Sequence, residues 1–141
     1  MKQKGVVFTT SLSVKQCADL FRNAAESTRG IKARMSEVAA SAMGNSETVG
    51  YYTPSFDSPF AAVDGVPDFA IGFNVLKFMG GGQGNGTHVH MYVDDQGSER
   101  NVQLVSGHGL TGAARSARCV SIFMQQFQSA DRALRVVDGN I

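Results

Sequence analysis

The sequence predicts an α+β domain, a two-layer sandwich of about four mainly antiparallel strands. One face of that sheet carries an N-terminal helix, or two, and a long C-terminal helix. Three observations predict it. Between Phe69 and Val105, three successive segments alternate apolar and polar residues, the period of a half-buried strand. Stretches on either side place apolar residues three and four apart, the period of an amphipathic helix. The order strand, helix, helix, long loop, three strands, helix groups like elements together, as α+β chains do.

The first strand is read over residues 5–12, GVVFTTSL, rich in Val, Phe and Thr. Ser13 then opens a capping box with Gln16, three residues on. Val14, Cys17, Ala18, Phe21 and Ala24 form one apolar stripe, with Lys15, Asp19, Arg22 and Glu26 on the other side, and Gly30 ends the helix. A thinner stripe, Ile31, Met35, Val38 and Ala42, predicts a second helix that stops at Gly44-Asn45. ETVGYY at 47–52 has the composition of a short strand.

A long loop comes next, at about 51–68. Pro54, Pro59 and Pro67 interrupt regular structure, yet Tyr51, Tyr52, Phe56 and Phe60 make the segment aromatic. Loops of this length in small domains generally have work to do, so these aromatics are expected to contact the core, a ligand or a partner.

In the next three strands the apolar sets are Phe69, Ile71, Phe73 and Val75, then Val89, Met91 and Val93, then Val102 and Leu104. The Gly-rich connection at 80–86 joins the first two, and Asp94-Asp95-Gln96-Gly97-Ser98 turns the second into the third. Ala113, Ala117, Val120, Phe123 and Phe127 then line a helix from about Thr111 to Arg132. The tail ALRVVDGNI extends that helix or adds a short terminal piece. This opening strand and helices, with the closing helix, resemble in layout the helix-grip arrangement of START-like ligand binders. A carrier of a small apolar ligand would need a cavity between sheet and last helix, lined by Phe73, Val89, Met91, Phe123 and Phe127.

Bulk composition narrows the function classes. A chain of 141 residues is read as one domain, 1–141. With 43% hydrophobic residues and a net charge of +1, it has neither the composition of disorder nor the charge for a broad grip on nucleic acid. No window approaches the ~20 apolar residues of a membrane span. The N-terminal MKQKGVVFTTSLS is too interrupted for a signal-peptide core, so a cytoplasmic location is expected. Cys17 and Cys119 lie on helical stripes without CxxC spacing and are read as buried free thiols.

The stretch GGGQGNGTHVHMY at 80–92 looks most like chemistry. A phosphate cradle needs a helix N-terminus behind its glycines, and this run enters a strand instead. His88, His90 and Tyr92 alternate with the apolar set and are read as the outward face, beside Asn101 and Gln103 of the next strand. That face is expected to meet a ligand or a partner. A metal site would use His88 and His90 with His108, and a carboxylate from Asp94 or Asp95. Gly82, His88, His90 and Asp94 have a spacing similar to the first half of the cupin metal motif, with Asp for Glu and no second motif downstream. The leading expectation is a small binding or protein-interaction domain, with no cofactor and a second copy of itself as partner. A metal-dependent enzyme and an apolar-ligand carrier are the alternatives.

Overall fold

Ser13 and Gln16 start the first helix in the expected way. Ser13 Oγ accepts the Gln16 amide at 3.1 Å, and Gln16 Oε1 accepts the Ser13 amide at 2.8 Å. The protein is described by a computed structural model over residues 5–27, 47–54, 67–77, 84–106 and 113–139. Within these, side chains of 47–49, 75–77, 84–88 and 113–117 are not described. The expected helix at 31–43 and most of the loop at 51–68, with Phe56 and Phe60, fall outside them.

The elements are β1 (Gly5–Thr10), α1 (Val14–Ser27), β2 (Glu47–Tyr52), β3 (Phe69–Lys77), β4 (Gly84–Asp95), β5 (Arg100–Ser106), α2 (Ala113–Ala130) and β6 (Arg135–Gly139). The six strands form one antiparallel sheet in the order β2-β3-β4-β5-β1-β6. The α+β class therefore holds, with two described helices, while the count of four strands is too low. ETVGYY is β2, and the C-terminal tail supplies β6.

The long helix is thus not the last element. It ends at Ala130, and Asp131 turns the chain back: its amide binds the Phe127 carbonyl and its carbonyl accepts the Leu134 amide. Val136 and Val137 lie beyond, β-branched residues suited to an extended edge. β4 also starts earlier than expected, at Gly84, so the second half of the glycine run belongs to the ladder, with Gly84 opposite Leu76.

Both helices lie on the face formed by Val6, Phe8, Ile71, Phe73, Val89, Met91, Val93, Val102 and Leu104. The stripes predicted for them are the buried ones: Cys17, Ala18, Phe21 and Ala24 on α1, and Val120, Phe123 and Phe127 on α2. Phe73 stacks on Phe123 with centroids 5.4 Å apart, and Phe21 meets both rings edge-on at 5.9 and 4.9 Å. Phe8 and Phe127 form a second pair at 5.1 Å. Each fully buried ring contributes roughly 1.5–3 kcal/mol by leaving water.

The opposite face differs from expectation. The sequence reads it as polar and open, yet Tyr92, Asn101, Gln103, Val7 and Val105 are buried on it. The signal lay in consecutive apolar pairs: Val6-Val7 in β1 and Leu104-Val105 in β5 cannot both sit on one face. Such runs mark strands buried on two sides. Exposure concentrates at the sheet's ends, in β2 and β6. Among the described residues no helix is long and apolar enough to cross a membrane.

Candidate functional site

Three neighbouring strands bring one row of residues together on the face away from the helices. Tyr52 of β2 lies opposite Gly72 of β3, and Gly72 lies opposite His90 of β4. The outer two rings close over the glycine between them. A Cβ at Gly72 would sit 2.8 Å from both the Tyr52 and His90 rings. The missing side chain is what lets Tyr52 hydroxyl and His90 Nε2 meet at 2.6 Å.

His90 Nδ1 lies 3.2 Å from the hydroxyl of Tyr92, two residues along the same strand. Each tyrosine ring stands nearly perpendicular to the imidazole, at 85° and 88°. A neutral imidazole has one N–H and one lone pair, so one phenol accepts from the ring while the other donates to it. The result is a chain, Tyr52–His90–Tyr92, running from a tyrosine 37% exposed to one 1% exposed. Burial pushes the Tyr52 hydroxyl above its ordinary pKa, so it stays a phenol able to donate.

Tyr51 points to the other face and ties β2 to α1. Its hydroxyl is 3.2 Å from the Arg22 carbonyl and 3.4 Å from Glu26 Oε1, either of which accepts its proton. Burial, then the Glu26 carboxylate, pushes that hydroxyl up to about 12. The adjacent tyrosines therefore fasten the edge strand from both sides. Sequence reading put them both in the candidate strand at 47–52 and at the start of the long loop; here they are the last two residues of β2.

Beside them β3 runs on past the end of β2, since Tyr52 pairs with Gly72 and Phe69, Ala70 and Ile71 lie beyond. A cleft of about 240 Å³ opens there, bounded by those three residues, Tyr51, Tyr52, Thr53 and Arg22. Arg22 is among the lining residues, and its half-exposed side chain lies 3.8 Å from Asp19. Such an exposed pair is weak and gives way readily to a better partner.

The other predicted site residues are spread along β4 and β5. Asn101 and Gln103 are buried on the same face as His90, Gln103 directly opposite Tyr92. His88 lies in β4 opposite Asn74, and its side chain is not described; His108 is outside the described residues. Among the described residues no three His, Cys, Asp or Glu side chains gather as a metal site. Both His90 nitrogens face phenol oxygens. Phe73, Val89, Met91, Phe123 and Phe127, where a carrier would hold its cargo, are fully buried, with Phe73 and Phe123 ring against ring. Cys17 and Cys119 are buried thiols outside any disulfide, as expected, and burial pushes the Cys17 thiol up to about 11.

Arg100, the first residue of β5, is one that sequence reasoning did not single out. Its guanidinium joins the β4–β5 turn to the β1–α1 loop, donating to Asp95 Oδ1 at 2.9 Å, to the Gly97 carbonyl at 2.8 Å and to the Leu12 carbonyl at 2.8 Å. No spacing rule announces a contact made across 88 residues. No protein-family model matches this chain, and neither a curated protein nor a solved structure is significantly similar to it.

Proposed function

We propose that the protein is a small binding domain whose recognition site is the cleft at the end of β2. One observation carries this reading. Two adjacent, partly exposed tyrosines, each held by a hydrogen bond, border a 240 Å³ opening that Arg22 also lines. Pre-held aromatic walls with a convergent charge are the general form of a small-ligand or side-chain pocket. Tyrosine suits the role because it offers a large contact area at little entropic cost.

The cleft chemistry favours an aromatic carboxylate, either a small acid or the end of a partner chain. Arg22 would exchange its loose contact with Asp19 for a two-pronged bond to the carboxylate. The ring would lie against Tyr51, Phe69 and Ile71, on the helix side of the sheet that Arg22 shares. The His90–Tyr92 pair holds Tyr52 on the opposite face and so keeps in place the end of β2 that carries Tyr51.

Calorimetric titration with benzoate tests this reading. Saturable binding at millimolar affinity or better is expected, lost in Arg22→Ala and weakened severalfold in Tyr51→Ala. Binding that is absent, or equal in both variants, contradicts it.

A further inference from the structure

The other end of the sheet offers a second, independent observation. β6 is the outermost strand, paired with β1 on one side. All five of its residues are exposed, with Val136 at 55% and Val137 at 65%. Two β-branched side chains in water on a sheet edge form a template for another strand. Between β6 and α2 a groove of about 460 Å³ runs alongside, with Val6, Met124 and Val136 on its apolar wall.

A bulge decides which strand fits. Val7 pairs with Asp138 and Phe8 with Val136, which leaves Val137 as an extra residue. Residues directly opposite in an antiparallel pair share a face. Arg135 lies opposite Thr9 and Asp138 opposite Val7, and Val7 and Thr9 face the same way. In a regular strand, residues three apart point to opposite faces. Here the extra residue puts Arg135 and Asp138 on one.

We propose that β6 is the interface through which two copies of this chain pair, edge to edge, about a two-fold axis normal to the sheet. That axis runs the two strands antiparallel and keeps their faces in common. Centred between Val136 and Val137, it sets Arg135 against the partner's Asp138, and Asp138 against the partner's Arg135. The strand Arg-Val-Val-Asp is its own charge complement. Within one chain these groups are only loosely engaged: Arg135 reaches Glu99 at 3.4 Å on the surface, and Asp138 accepts the next amide. Bulges protect edges from indiscriminate pairing; this one restricts the partner to a strand with matching charges. The interface does not depend on the cleft, which lies at the far end of the strand order.

Sedimentation equilibrium of the full chain across the micromolar range tests the proposal. The wild-type chain is expected at twice the monomer mass. Arg135→Asp alone and Asp138→Arg alone bring like charges together and should sediment as monomers. An equimolar mixture of the two restores opposite charges across the interface and should return to the dimer mass. The double variant Arg135→Asp/Asp138→Arg, its charges merely exchanged, should dimerise as the wild type does. A wild-type monomer throughout, or single variants that dimerise undiminished, would overturn the proposal. So would a mixture that stays monomeric while circular dichroism shows both chains folded.

Discussion

At Gly72 the space a Cβ would fill is already occupied by the Tyr52 and His90 rings. Gly72→Ala should force them apart, breaking the 2.6 Å hydrogen bond and costing about 1–2 kcal/mol. Urea unfolding measures the loss, and Tyr52→Ala beforehand should remove only part of it, because the His90 ring still stands 2.8 Å from the added Cβ. Two carboxylates set the acid response in opposite directions. The Thr10 hydroxyl, at 2.7 Å, and the amides of Ser11 and Ala133 hold Asp131 below its ordinary pKa. Its contribution is therefore present above the ordinary carboxylate pKa of ~3.9 and disappears as pH falls through the lowered value. Partial burial and a hydrogen bond with Asp68 push Asp94 the other way. The folded state resists its ionisation, so stability falls as pH rises through the window above ~3.9. Asp131→Asn should lower the melting temperature at neutral pH, by about 1 kcal/mol of stability, with the deficit fading in strong acid. Asp94→Asn should raise it at neutral pH, and the gain should vanish in acid. Thermal melts across pH read both.

At the scale of elements, local rules were legible and long-range ones were not. The Ser13–Gln16 box, the stripes of α1 and α2 and the β4–β5 turn each lie within a few residues of sequence. In that turn Gly97 adopts φ 90°, a left-handed conformation that costs glycine little. β6 went unread because five residues after a helix carry too little periodicity to separate a strand from a frayed turn. The buried second face was missed for a related reason. Alternation in β3 and β4 suggested one wet side, and only the Val-Val and Leu-Val pairs in β1 and β5 argued otherwise. The aromatic cluster that holds helices to sheet makes its own prediction. Phe123 touches both Phe21 and Phe73, so Phe123→Ala should cost about 3–5 kcal/mol in denaturant unfolding. A loss below about 1 kcal/mol would mean that the rings are not packed as described.

For the whole molecule, the sheet divides its tasks by position. The central strands β4, β5 and β1 are buried on both faces and supply rigidity. Among the described residues the two end strands carry most of the exposed large hydrophobic side chains, Tyr51 and Tyr52 on β2 and Val136 and Val137 on β6, with Ile122 of α2 the other. Loosely covered edges on a rigid centre suit a domain that binds at one end and assembles at the other. His90 and Tyr92 could be named from sequence because they alternate with apolar residues on one strand. Tyr52 was named as a loop aromatic, but its pairing with His90 could not be read, since 38 residues separate the two and only the β2–β3–β4 register joins them. Arg22 was legible as a surface helix residue and nothing more, because its role depends on where β3 outruns β2. The proposed binding site rests on that meeting point. Amide chemical-shift mapping during a benzoate titration tests it most directly. A site at the end of β2 predicts shifts centred on Arg22, Tyr52, Thr53, Ala70 and Ile71, and their disappearance in Arg22→Ala. Shifts centred elsewhere, or none at saturating benzoate, would contradict it.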